Sequence, residues 1–261
     1  MSEVNYILLP ETASTNTYAK ENIKDYSHGY SVVYTLNQTA GRGMDGNYWE
    51  AEGGKNISFS IICHPRMVKP AEQFVLSMAI AVDIVNVLQK LYPEEKDNFR
   101  VKWPNDIYWN DKKLGGILIE NTLKGYRMDS CIIGIGINVN QEFFKSDAPN
   151  PTSLKQITHR ESDPIELMEL IAQRFLKTLQ VIKLLEDTDN YSLNVKYESI
   201  RDNYHRLLYR YDKELHTFQE GDKLFDAKIR KVQNDGRLTL VNANGEEKDY
   251  WLKEVKFVIS K

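Results

Sequence analysis

Cysteine is scarce in this 261-residue chain: Cys63 and Cys131 stand alone, each inside an apolar, strand-like run where a thiol acts as a small hydrophobe. That excludes a disulfide framework and sets the expectation of a reducing, cytoplasmic setting. An excess of one charge is lacking too. Lys and Arg total 34 against 37 Asp and Glu, a formal net charge of −3, so no global field draws the chain to nucleic acid or an anionic membrane, and any anion site must be local. The amino terminus has neither a cationic start nor an apolar h-region, and no apolar run is seen to approach the ~18 residues that cross a bilayer. Neither a signal peptide nor a membrane span is expected. Internal repeats and low-complexity tracts are missing, and the five histidines are scattered, without an evident Ser-His or Cys-His pair for nucleophilic catalysis. What remains is an ordinary globular composition, 41% hydrophobic and 27% charged, long enough for one large core with or without a small appended domain.

The most informative stretch is 101–120, VKWPNDIYWNDKKLGGILIE. A strand ends near Trp103, because Pro104 fixes φ and removes a backbone donor. Asn105 and Asp106 fall in the turn, Ile107 to Trp109 resume a β-prone pattern, Asn110 and Asp111 turn again, and Leu114 opens a second strand. Lys102, Asp106 and Lys113 are thereby expected to converge on one ligand. A lone Lys-Asp pair in a hairpin is usually a solvated pair. Gly115 and Gly116 weigh against that reading, since bare backbone in mid-strand marks a bulge or the close approach of a ligand.

Upstream, a run of small hydroxyl and amide residues, Thr12 to Asn16, precedes a helical pattern. It reads as an N-cap in which Ser14 or Thr15 also offers a hydroxyl to a small polar ligand. A strand over 31–36 then enters a segment rich in glycine and polar side chains, 37–49. Its GRGMDG spells a dinucleotide-binding fingerprint, but no helix follows and no acidic residue stands about 20 positions on, so the context fails. Gly53-Gly54-Lys55-Asn56 likewise lacks the features of a P-loop. The segment is expected to be a mobile loop that wraps an anion with backbone amides and stacks Trp49 on a base. Pro70 opens a helix over 70–91, apolar around most of its circumference and so a core helix; its Asp83 is expected to be exposed or locally satisfied. The most apolar strand, 128–140, is interrupted by Gly134 and Gly136, which are expected to let a ligand lie against the backbone. Helices are predicted over 164–185 and 190–209. From Asp212 the texture changes to five short strands with tight turns, predicting a small β-barrel and two domains, 1–211 and 212–261.

Taken together, Ser14-Thr15-Asn16, the loop from Gln38 to Gly43 with Trp49, KWPND followed by Lys113-Leu114-Gly115-Gly116, and Gly134-Ile135-Gly136-Ile137-Asn138 resemble biotin protein ligase, in the family's order and across essentially the whole chain. The resemblance implies an α+β fold, a central mixed β-sheet with helices like that of class II aminoacyl-tRNA synthetases, plus a small C-terminal β-barrel. Two departures stand out. Some members carry an N-terminal helix-turn-helix and repress transcription, whereas this sequence opens on the catalytic motifs, so no DNA partner is expected. Met44 stands where many members have arginine.

The resemblance further implies that biotin and MgATP give biotinyl-5′-AMP and pyrophosphate, after which a lysine of a biotin carboxyl carrier protein displaces AMP. No permanently bound cofactor is implied, and either a monomer or a homodimer is compatible. By the same resemblance Lys113 bridges the biotin carboxylate and α-phosphate, with Arg42 and Lys102 serving the phosphates. Ser14, Thr15, Asn16 and Gln38, with Gly41, Arg42, Gly43, Gly134 and Gly136, bind biotin. Met44, Trp49, Asn105, Asp106 and Asn138 line the nucleotide side, Asp106 being the candidate Mg²⁺ ligand. Lys253 and Lys256, on a late strand, are also expected to face the nucleotide. A lipoate ligase of related fold and a non-catalytic binding or interaction module are the alternatives; the latter would leave the cationic loops ornamental.

Overall fold

The computed structural model describes residues 4–26, 29–145, 150–186 and 197–259. Strand β1 (Asn5–Leu8), helix α1 (Thr15–Glu21) and strand β2 (Ser31–Thr35) lead into a short hairpin, β3 (Gly41–Arg42) and β4 (Tyr48–Trp49), and then β5 (Ile57–Cys63). Helix α2 (Phe74–Leu91) precedes β6 (Phe99–Lys102), β7 (Asp106–Trp109), β8 (Lys112–Lys124) and β9 (Arg127–Ile137). A seven-stranded sheet runs β1-β2-β5-β9-β8-β7-β6. β1 and β2 pair in parallel and the other neighbours antiparallel, which makes the sheet mixed.

The period of two in a strand decides what each face does. In β5, Ile57, Phe59, Ile61 and Cys63 join the main core, while Ile62 packs with Ala19 of α1, Val33 and Ile132 on the opposite face. Ser58 and Ser60 share the parity of Ile62 and so look toward α1. Opposite them stand Gly136 and Gly134 of β9, which in turn face Gly116 and Leu118 of β8. One face is therefore apolar and covered by α2; the other is small and polar along its middle, and this is where a ligand has room.

The segment Pro70–Leu91 is long and apolar enough to cross a membrane by length and composition, contrary to the expectation that no run qualifies, and 67% of its apolar window is buried inside the protein. Here it is the core helix, packed against α4 (Pro164–Glu186) and α5 (Glu198–Leu207) and sharing one hydrophobic cluster with them and with α3 (Leu154–Thr158). Of the two alternatives for Asp83 on α2, exposed or locally satisfied, the second holds: the side chain is buried and paired. Its Oδ1 accepts from Arg174 Nε of α4 at 2.8 Å, while burial pushes the carboxyl above its ordinary range. The helix predicted over 190–209 is described only from Tyr197; 190–196 lie outside the described residues.

A second, antiparallel sheet contains β10 (His216–Glu220), β11 (Lys223–Val232), β12 (Leu238–Asn242), β13 (Glu247–Tyr250) and β14 (Lys256–Phe257), in the order β13-β12-β11-β10-β14. It forms the small barrel-like unit, curled around Phe218, Ala227, Ile229, Leu238 and Leu240. Polar contacts dock it on the first sheet's helices and loops. Trp103 Nε1 donates to Gly236 O at 2.8 Å, Val232 N to His205 Nε2 at 2.8 Å, and an Arg210 guanidinium nitrogen to Val258 O at 3.0 Å. Gly236 has φ +95°, and a Cβ there would sit 2.6 Å from the Phe74 ring, so both the turn and the docking require glycine.

Candidate active site

One end of the site is built from neutral donors and acceptors. Ser14 caps α1, its side chain accepting from Thr17 N, which sets Thr15 and Asn16 at the first turn facing β5. Gln38 Oε1 accepts from Thr15 N at 3.0 Å, and Gln38 Nε2 donates to Ser58 Oγ at 3.3 Å. Ser60 Oγ lies 2.7 Å from both Thr15 Oγ1 and Asn16 Oδ1, so its single proton serves one of them at a time. Asn16 Nδ2 donates to Leu118 O at 3.2 Å and to Glu120 Oε2 at 3.0 Å. All of these groups but Thr17, Glu120 and Leu118 are buried, and buried polar groups held this way are expensive to disturb.

The other end is cationic. Lys113 Nζ lies 2.6 Å from Asp106 Oδ1, and Lys102 Nζ lies 4.0 Å from Asp106 Oδ2. Lys102 is sandwiched at 5.2 Å from the Tyr108 ring and 4.9 Å from the Phe257 ring, and burial pulls its ammonium below the ordinary lysine range. Lys113 reaches this face because of a bulge. Asp106 pairs with Gly116 and Ile107 with Gly115, but Tyr108 pairs with Lys113, so Leu114 is the extra residue. Without it Lys113 and Gly116, three apart, would point to opposite faces. The Lys113 backbone is then held by bonds from its N to Asn150 O at 2.7 Å and from Thr152 N to its O at 2.9 Å.

A cleft of about 340 Å³ joins the two ends and is walled on a third side by Leu252, Lys253, Val255, Lys256 and Phe257. The expected residues Ser14, Thr15, Asn16, Gln38, Arg42, Gly43, Met44, Trp49, Lys102, Asn105, Asp106, Lys113, Gly134 and Gly136 all line it. Lys253 and Lys256 do line this space, but only Lys256 lies on a strand, β14; Lys253 sits in the turn before it with φ +71°. Among the described residues Asp106 is the lone carboxylate there, so the cleft carries net positive charge and suits an anion.

Several expectations need correction. The segment carrying Arg42 and Trp49 is a hairpin rather than a loop, with Gly41 opposite Trp49 and Arg42 opposite Tyr48. Gly41 lies outside the cleft, in an adjoining recess; a Cβ there would sit 2.5 Å from Trp49 O, so its role is close strand pairing. Gly134 and Gly136 admit the protein's own side chains: a Cβ would come within 2.3 Å of Asn16 Oδ1 and 2.5 Å of Trp49 Cε2 respectively. Trp49 thus lies over Gly136, with Lys113 Nζ 6.0 Å from its ring. Asn138 is absent from the lining; it is buried, donating through Nδ2 to Thr152 O at 2.9 Å. Asp106 is the counter-ion of two lysines, and among the described residues no cluster of three His, Cys, Asp or Glu side chains could hold a metal. These residues do not fit a resident metal site.

Ser58 in the cleft wall, and Ser60 and Glu120 in the hydrogen-bond network beside it, were not singled out by reading the sequence. The serines had a signal, since polar residues at a period of two in the otherwise apolar ISFSIIC point to one small polar patch. Glu120 had none.

A model of the Biotin/lipoate A/B protein ligase family matches residues 8–138, half of the chain. The chain belongs to this family. It is 38% identical over 132 residues to the bifunctional ligase/repressor BirA of Escherichia coli (strain K12), an alignment covering 51% of this chain and 40% of that protein. It is 29% identical over 174 residues to the biotin–(acetyl-CoA-carboxylase) ligase of Paracoccus denitrificans, covering 65% of this chain and 71% of that one. The chain spans about half or less of the length of the first curated relatives it matches. Among solved structures, the biotin protein ligase from Aquifex aeolicus in complex with biotin and ATP superposes with a TM-score of 0.73 at 24% identity, covering 98% of this chain and 99% of that chain. That likeness shows the shared fold, both sheets included.

Proposed function

We propose that the protein activates biotin with MgATP to biotinyl-5′-AMP and transfers biotin to a lysine of the biotin carboxyl carrier protein of a biotin-dependent carboxylase such as acetyl-CoA carboxylase. The observation that carries this reading is a single cleft joining the buried Thr15–Gln38–Ser58–Ser60–Asn16 network to the Lys113–Asp106–Lys102 cluster on one sheet face. A ureido ring presents neutral donors and acceptors of the kind that hydroxyls and amides complement without burying charge. At the other end a carboxylate oxygen attacks the α-phosphorus, the bond to pyrophosphate breaks, and negative charge gathers on the phosphoryl oxygens. Lys113 bridges carboxylate and α-phosphate, Arg42 and Lys102 offset the charge, and Trp49 faces the base. A carrier lysine amine then attacks the acyl carbon, losing its proton as AMP departs.

Lipoate is the second reading, since the family includes lipoate ligases. A dithiolane ring has no hydrogen-bonding groups and would cover the neutral end, shutting out water from its remaining lone pairs and protons without offering them a partner. Biotin is favoured on that ground. We further place the domain boundary at 211/212, with the C-terminal unit contributing Lys253 and Lys256 to the nucleotide side. The free, buried Cys63 and Cys131 suit a reducing compartment such as the cytoplasm.

Labelled biotin, MgATP and the protein should yield an acid-labile adenylate, and addition of a biotin carboxyl carrier domain should move the label to one lysine. Absence of adenylate, or preferential formation of lipoyl-AMP in a parallel reaction, overturns the reading.

A further inference from the structure

Glu120 belongs to the same face of β8 as Gly116 and Leu118, one step beyond them, where it stands opposite Ile132. Its Oε2 accepts from Asn16 Nδ2 at 3.0 Å and from an Arg42 guanidinium nitrogen at 3.2 Å, and its Oε1 lies 3.5 Å from Lys20 Nζ. Glu120 opens onto the recess beside the cleft, with Gly41, Tyr48 and Leu118, and is not part of the cleft lining. Arg42 borders both spaces. The guanidinium assigned to the phosphates is therefore already paired with a carboxylate, on the outer side of the hairpin. That carboxylate also ends the hydrogen-bond chain running from Gln38 through Thr15, Ser60 and Asn16.

We propose that Glu120 is a positioning residue: it holds Arg42 and the β3–β4 hairpin on the outer side of the cleft, and a phosphate entering the cleft must compete with it for the guanidinium. The proposal rests on reading the cleft as a carboxylate and nucleotide site. An anion at the cationic end then exchanges partners with Glu120, which keeps Asn16 and Lys20 as its own. The hairpin is thereby fixed in the empty protein by a contact that the substrate replaces. Both partners reach solvent, the Glu120 side chain being 24% and that of Arg42 47% exposed, so the pair is of the screened kind and its hold is modest.

The test compares wild type with Glu120→Gln, which removes the charge but keeps an acceptor for Asn16 Nδ2, and Glu120→Ala, which removes both. Titrations with MgATP, with inorganic pyrophosphate as a probe of the anion alone, and with biotin are run at low and high salt, beside hydrogen exchange of residues 41–49 without ligand. Glu120→Gln is expected to bind MgATP and pyrophosphate about two- to fivefold tighter at low salt, the range of an exposed ion pair. The gain should vanish at high salt, biotin affinity should hold, and hairpin exchange should be faster. Glu120→Ala should show the same gain for the anions and weaker biotin binding. A support role alone predicts the opposite sign, so weaker or unchanged anion binding by Glu120→Gln overturns the proposal. If wild type binds neither MgATP nor pyrophosphate, the nucleotide reading of the cleft falls. The hold on the hairpin is then judged by exchange: faster exchange in Glu120→Gln sustains it, and unchanged exchange overturns it.

Discussion

The two ends of the cleft recognise by different physics. The neutral end is a closed network of buried hydroxyls and amides, Thr15, Asn16, Gln38, Ser58 and Ser60, each held by another. The cationic end is a set of part-exposed charges, Lys113 at 27% and Asp106 at 16%, with Lys102 set between the Tyr108 and Phe257 rings and Lys113 Nζ 6.0 Å from that of Trp49. The first is specific because an unmatched ligand strands buried polar groups. The second is permissive in shape, and its strength lies in charge that counts most where negative charge develops. The neutral end should therefore set which acid is bound, and the cationic end how fast it reacts.

The comparison is broken most severely by Lys113→Ala. It should lower adenylate formation on the order of 10²-fold or more, measured as pyrophosphate release, with the melting temperature close to wild type. A loss of only about threefold, well under 1 kcal/mol, would mean Lys113 is not the bridge. Ser60→Ala attacks the opposite end. It removes the one proton that Thr15 Oγ1 and Asn16 Oδ1 share and leaves a buried acceptor short of a donor, a cost of about 1–3 kcal/mol, so KM for biotin should rise roughly tenfold while KM for ATP holds. Equal changes in both constants would dissolve the distinction between the ends.

Met44→Arg sharpens it. An added guanidinium on the hairpin places one more charge-assisted contact over the phosphate, worth about 1.5–3 kcal/mol when buried and less when wet. Biotinyl-AMP should leave about tenfold more slowly by rapid dilution, with less labelling of a bystander protein; identical rates would make position 44 neutral.

The smallest effect comes from acid. His205 Nε2 accepts from Val232 N at 2.8 Å, and burial lowers its pKa from the ordinary 6.5. The folded protein therefore resists protonation that the unfolded chain accepts. The stability it contributes is fully present above pH 6.5 and is lost as the pH falls through the lower folded value. Because this bond docks the sheet that carries Lys256 and Phe257, mild acid should raise KM for ATP a few-fold before KM for biotin moves. His205→Leu should flatten that dependence and lower the melting temperature at pH 7.5.

Much of this layout was legible in the residues. Pro104, Gly115 and Gly116 punctuate the 101–120 stretch, and Lys102, Asp106 and Lys113 do converge. The apolar run of α2 marked a core helix, though the buried Asp83 required knowing that α4 brings Arg174 beside it. What was hidden depends on contacts between distant segments. Glycine reports that something approaches the backbone, but Gly134 and Gly136 could not say that Asn16 and Trp49 do so. The bulge at Leu114 shows only in the register with β7, and Glu120 looks like any strand carboxylate until Arg42 is brought from 78 positions away.

The central claim, that this cleft joins a biotin carboxylate to the α-phosphate of ATP, is tested most directly by isotope exchange. Labelled pyrophosphate, MgATP and the protein, without any acceptor, should produce labelled ATP only when biotin is added, and lipoate should not replace it. Exchange that proceeds without biotin, or none with it, would contradict the account.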